Sequence, residues 1–321
     1  MLKGSKDGIA SVAFSPDGYR LASGGQDGTV RLWDGGNGQE IRILKEDKSR
    51  VTSVAFSPDG RRLAASWWDG GTVRLWATTT GQELLTLKAD TNFALHVAFS
   101  PDGQRLATSG LTSPPRIWDA STGQELFALT QYGNQSVVTF SPDGQLLATA
   151  DFRDVHLWDA SNGLELRTLK GHPSPVWSLA FSPDGGRLAS GDDDGQVRLW
   201  DTTTGQEVLV LEADTKGRRV QSLAFTQDGL RLAAANGDTV LLWDGRKFPG
   251  HVLRKRQLLG HVNSLFDKLQ LQSEVLSDLK NDKWLGESDR TFMLQVASKT
   301  QDDADLLMWS AVVFHAKWHT V

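Results

Sequence analysis

Tryptophan recurs along this chain at Trp33, Trp76, Trp118, Trp158, Trp200 and Trp243, at intervals of 43, 42, 40, 42 and 43 residues. Six of the 12 tryptophans therefore share one period. A second marker keeps that period independently: the tetrapeptide SPDG begins at Ser15, Ser57, Ser100, Ser141 and Ser182, with the variant TQDG beginning at Thr226. Self-similarity at about 40 to 45 residues is the mark of units built from four strands. A unit that small cannot bury its own apolar faces, so each must stack on its neighbours.

Repeat 5, VWSLAFSPDGGRLASGDDDGQVRLWDTTTGQEVLVL from Val176 to Leu211, divides into four short apolar runs separated by turn chemistry. In SPDG, proline presets the dihedral of the second turn position and glycine accepts positive φ, which predicts a tight hairpin. The DDG of Asp193 to Gly195 and the TTTGQE of Thr202 to Glu207 predict two more. Runs such as Ser178 to Phe181 are apolar on both sides of the pleat, as in a sheet covered on two faces. The last run of each repeat is more variable and bounded by charges, which suits an edge strand.

VAFSPDG, LASGG-DGTVRLWD and TGQE together resemble the WD-repeat family of β-propellers, over roughly Gly8 to Leu259. The resemblance implies an all-β propeller with six recognisable blades, either a six-bladed ring or an incomplete seven-bladed arc. It also implies a buried structural network of His, Ser or Thr, Asp and Trp in each blade. Only repeat 5 retains all four, as His172, Ser190, Asp194 and Trp200. Repeats 3, 4 and 6 lack the aspartate six residues before the tryptophan, and in repeat 2 Asp69 is displaced by an extra glycine in WWDGG. The expectation is a ring that relies on packing more than on buried polar bonds.

Two domains are expected: residues 1–260 as the propeller and residues 261–321 as a C-terminal α-helical segment. The turn motifs stop near His261, and Val262, Leu265, Phe266 and Leu269 then follow helical spacing. This tail resembles segments that join WD repeats to tetratricopeptide arrays in large bacterial proteins, some of them kinase fusions, and its apolar faces call for a packing partner. MLKG at the N-terminus resembles the end of an outer strand, as in RTLKGH at Arg167 to His172, which hints at a further repeat upstream.

A formal charge of -5 argues against a general polyanion binder, so nucleic acid is not expected as a partner. No apolar run reaches the roughly 18 residues of a membrane span, no signal-like segment opens the chain, and there are no cysteines. A cytoplasmic protein without disulfides, metal or cofactor is expected. Phosphate-binding loops, kinase motifs and the hydrolase elbow are all missing from the sequence, so no catalytic residue is assigned. The i, i+4 pair His315 and His319 lacks the glutamate of a zinc helix. The basic group Arg246, Lys247, Arg254, Lys255 and Arg256 is taken as a solvated strand edge.

Aromatic residues in the loops of one rim stand out instead. Trp67 and Trp68 occupy the hairpin where sister repeats carry Gly25 and Gln26 or Asp192 and Asp193, and Phe152 with Arg153 holds the matching place in repeat 4. Phe93 and Tyr132 lie in incoming loops of the same rim. Either these six residues form a surface for a protein or peptide, or one of each pair folds inward between blades in place of the lost network. The function expected is a noncatalytic protein-interaction scaffold; the alternative is the regulatory part of a larger bacterial signalling protein, and a propeller enzyme ranks third.

Overall fold

The computed structural model describes residues 5–244 apart from 6, 90–92, 112, 131–134, 213–217 and 238. The expected helical segment, the boundary at residue 260, Tyr132, the basic group and the His315–His319 pair lie outside the described residues. One compact unit runs Met1–Leu241, and the second, Leu242–Val321, is described only through Asp244.

The described chain is a six-bladed β-propeller, with five four-stranded antiparallel sheets and a sixth of three strands. Blade 5 shows the build: strands Val176–Phe181, Arg187–Asp192, Gln196–Asp201 and Glu207–Glu212 pair in chain order. Its first hairpin is closed by the motif residues themselves. The Ser182 hydroxyl donates to Asp184 Oδ1 at 2.5 Å and accepts the Arg187 N–H at 2.9 Å, and Gly185 takes the positive φ of 70°. Ser15, Ser57, Ser100, Ser141 and Thr226 make the same two bonds in the other blades. Each turn aspartate is held below the ordinary carboxylate range by hydrogen bonds from its hydroxyl partner and the following backbone N–H, against whatever desolvation it suffers.

Blades stack through their first strands, Ile9–Phe14 on Val51–Phe56, then Ala94–Phe99, Gln135–Phe140, Val176–Phe181 and Val220–Phe225 in succession. The apolar core lies between sheets: Ala22, Val30 and Leu32 of blade 1 pack with Val51, Val54 and Leu63 of blade 2. Gly24 permits this approach, since a Cβ there would stand 2.4 Å from Val51 Cγ1. Arginines following SPDG clamp the same junctions. Arg20 donates to Thr78 Oγ1 of blade 2, Arg62 to the Ala120 and Gly103 carbonyls of blade 3, and Arg105 to the Ala160 and Gly144 carbonyls of blade 4.

The end blades differ. Val12 is 61% exposed, whereas its counterparts Val54, Val97, Val138, Leu179 and Leu223 are buried by the blade before, and Phe14 is 64% exposed where Phe56, Phe99, Phe181 and Phe225 are half-buried and Phe140 is buried. On blade 6, Val240 is 72% exposed where Val30, Val73, Val155 and Val197 are buried by the blade after. Among the described residues, nothing covers the leading face of blade 1 or the trailing face of blade 6.

Candidate functional site: an aromatic and arginine rim

Hairpins between second and third strands lie at the opposite ends of the blades from the SPDG turns, because adjacent strands are antiparallel. In blade 2 the extra glycine turns this hairpin into one turn of 3-10 helix, Asp69–Gly71, with φ of 81° at Gly70 and 58° at Gly71. Trp67 ends the preceding strand and points inward. It is 2% exposed, meets Trp76 edge-on at 5.7 Å, and its Nε1 donates to the Gly28 carbonyl of blade 1 at 3.3 Å. Trp67 is therefore corrected from a rim residue to a core residue. It fills the place of the polar network in blade 2, where Ala65 leaves the Trp76 indole no hydroxyl to meet.

Trp68 faces the rim, half-buried. Its N–H donates to the Arg50 carbonyl at 3.0 Å, the Arg50 guanidinium lies 4.0 Å over its ring, and the Phe93 ring stands at 5.0 Å. Arg50 immediately precedes the first strand of blade 2 and Phe93 that of blade 3, so the cluster bridges a blade junction. Cation–π stacking of an exposed arginine contributes about 0.5–1 kcal/mol and holds both groups ready. Phe152 is 48% exposed at φ 49° in the matching hairpin of blade 4, with Arg153 at 5.3 Å from its ring. These two form a separate exposed pair, with no ring contact to Trp68 among the described residues.

Sequence reasoning missed Arg50, Trp177 and Arg219. Arg219 precedes the first strand of blade 6 as Phe93 precedes that of blade 3. Its guanidinium lies 3.7 Å over Trp177 and its Nε donates to Asp193 at 2.6 Å. The position before each first strand was the available signal: Phe93 and Arg219 there reach the hairpin of the blade before, and Arg50 reaches that of its own blade.

The network of blade 5 also needs one correction. His172 Nδ1 meets Asp192 Oδ2 at 2.9 Å, its Nε2 meets Ser190 Oγ at 2.6 Å, and Trp200 Nε1 donates to Ser190 Oγ at 2.7 Å. Asp192, wholly buried at the end of its strand, takes the role expected of Asp194, which is exposed and donates only its backbone N–H, to Ser174 Oγ and Asp192 Oδ1. With Nδ1–H donating to Asp192, Nε2 accepts the Ser190 hydroxyl proton, and every buried polar atom of the four is satisfied. Half of the network persists elsewhere: Trp33, Trp118 and Trp158 donate to Ser23, Thr108 and Thr149. The blades thus keep more polar bonding than the sequence suggests. Among the described residues, no group of three or more His, Asp or Glu could hold a metal ion. Nor is any helix there long and apolar enough to cross a membrane.

Residues 1–34, 38–77, 81–113, 163–201 and 205–244 match the family described as "WD domain, G-beta repeat". The chain is similar to a "Small ribosomal subunit protein RACK1y" of Oryza sativa subsp. japonica, 42% identical over 29% of this chain and 26% of the relative. It is also similar to a "Eukaryotic translation initiation factor 3 subunit I" of Scheffersomyces stipitis, 41% identical over 24% of this chain and 21% of the relative. A third likeness is to a "Guanine nucleotide-binding protein subunit beta" of Arabidopsis thaliana, 38% identical over 27% of this chain and 25% of the relative. The chain spans about a quarter of the length of the curated relatives it matches.

Proposed function

Because this chain belongs to the WD-domain, G-beta repeat family, we propose that it is a noncatalytic platform that holds a protein or peptide partner on one propeller rim. The observation that carries this is the half-buried Trp68 held between Arg50 at 4.0 Å and Phe93 at 5.0 Å across a blade junction. Trp and Arg dominate interface hot spots, and here both are ordered before any partner arrives, which lowers the entropic cost of binding. Phe152 and Arg153 extend the surface. The relatives are named as a ribosomal-subunit protein, an initiation-factor subunit and a G-protein subunit, which accords with a part that works inside an assembly. We place the protein in the cytoplasm, where a chain with no cysteine loses nothing by the absence of disulfides.

Crosslinking and affinity capture with the full chain, comparing wild type with Trp68→Ala combined with Phe93→Ala, tests the rim. The partners should be lost while the melting temperature stays within a few degrees. Retention of the same partners at the same strength would remove the rim from the site. Trp67→Ala is the control for a purely structural indole, and it should cost about 3–5 kcal/mol of stability.

A further inference from the structure

On the opposite rim, a cavity of about 460 Å³ opens between blades 4 and 5, lined by Asp143, Leu146, Leu166, Arg167, Asp184 and Thr202, with the Gly185–Gly186 backbone. The corresponding cavity between blades 2 and 3 is about 210 Å³, and Arg62 lies in its wall. One residue in the wider wall stands where a clamp stands in other blades. Where blades 1, 2 and 3 carry the junction-clamping Arg20, Arg62 and Arg105, blade 4 carries Leu146.

The acceptors that such an arginine meets are still in place. At the first junction, Thr78 Oγ1 donates to the Gly60 carbonyl at 2.8 Å and accepts the Arg20 guanidinium at 2.9 Å. At the fourth, Thr202 Oγ1 donates to the Gly185 carbonyl at 2.8 Å in the same way, but Leu146 offers it no donor. Charge is left over as well. Asp17, Asp59, Asp102, Asp184 and Asp228 each feel the arginine of their own turn, while Asp143 has only the hydrogen bonds of Ser141 and the backbone. The cation on the cleft wall, Arg167, is tied to the Thr203 carbonyl.

We propose that this cleft binds an arginine side chain of an extended peptide, the incoming guanidinium standing against Thr202 Oγ1 as Arg20 stands against Thr78, with Asp143 as its counter-charge. Leu146 and the exposed Leu166 would receive the aliphatic stem and an apolar neighbour of that arginine. A planar donor fork suits paired oxygen acceptors better than an ammonium does. The site is independent of the Trp68 rim, since the two lie at opposite ends of the blades.

The test uses the full chain and the blocked pentapeptide Ala-Leu-Arg-Leu-Ala, with its citrulline counterpart as a neutral isostere, titrated by calorimetry and by amide NMR. The arginine peptide should bind about tenfold more tightly than the citrulline peptide, the worth of a charge-assisted hydrogen bond. Shifts should centre on Gly185, Gly186 and Thr202. Leu146→Arg, which supplies the guanidinium from within, should abolish binding, and Asp143→Asn should weaken it severalfold. Trp68→Ala should leave it unchanged, so failure here and failure of the aromatic rim are separable. Equal affinity for the two peptides, or undiminished binding to both Leu146→Arg and Asp143→Asn, would overturn the proposal. If Leu146→Arg does not fold, the Asp143→Asn result decides.

Discussion

Asp192 and Asp194 sit two residues apart and have opposite fates. Asp192 is sealed against His172, and removing one partner of a buried charge-assisted hydrogen bond leaves the other unsatisfied, so Asp192→Ala should cost about 1–3 kcal/mol. Asp194→Ala, at an exposed position, should stay within about 0.5 kcal/mol. Denaturant melts of the two variants check the assignment. The sequence shows three consecutive aspartates and cannot say which one turns inward, because that depends on the strand continuing through Asp192. The same limit applies to Trp67 and Trp68, where one residue of register decides between core and rim. His96 was not legible at all as a titrating group. The residue keeps some surface, yet its Nδ1 is sealed without a partner, and burial pushes the imidazole down to about 4 from 6.5, against a weaker hydrogen bond that the ring donates to the Val138 backbone carbonyl. The unfolded chain takes up a proton near pH 6.5 that the folded one refuses, so this contribution is full above pH 6.5 and is lost as pH falls toward 4. His96→Ser, the residue found at the matching positions 53 and 178, should flatten the melting temperature between pH 7 and 4.5. An unchanged slope would deny His96 this role.

At the scale of strands and hairpins most of the fold was written in the sequence, since SPDG contains both the geometry and the hydrogen-bonding groups of its turn. A ladder of ion pairs was written there too, though only the pairing register exposes it. Arg31, Arg74, Arg116 and Arg198 on third strands each meet the glutamate nine residues later, Glu40, Glu83, Glu125 and Glu207, and in blade 4 His156 meets Glu165 at the same spacing through a hydrogen bond. These pairs lie near the surface and contribute little singly, but they tie the edge strand of each blade to its neighbour. The hairpin of blade 4 shows the opposite case, a local rule broken. Phe152 adopts φ 49°, a conformation that sister hairpins give to glycine, at a cost of the order of 1 kcal/mol. Phe152→Gly should therefore leave the melting temperature level or raise it, despite the loss of a large side chain. A clear fall would show that the ring packs for stability and is not held out for a partner.

Six similar blades make a nearly one-dimensional stack in which each middle blade is covered on both faces. The periodic tryptophans carry this order in the sequence, whereas the state of the two end faces depends on which neighbours their side chains meet. Val54→Ser with Phe56→Ser removes apolar side chains from a filled junction and should cost about 3 kcal/mol or more. The matching pair, Val12→Ser with Phe14→Ser, acts on a bare face and should cost less than about 1 kcal/mol. Equal losses would mean that the leading face is covered in solution. The bare faces also set an order of opening. A terminal blade gives up one interface when it detaches, while a middle blade must give up two, so amide hydrogens in Ile9–Phe14 and Thr239–Asp244 should exchange with deuterium well before those in Ala94–Phe99. The described blades would then melt as a zipper does, inward from the first and the sixth.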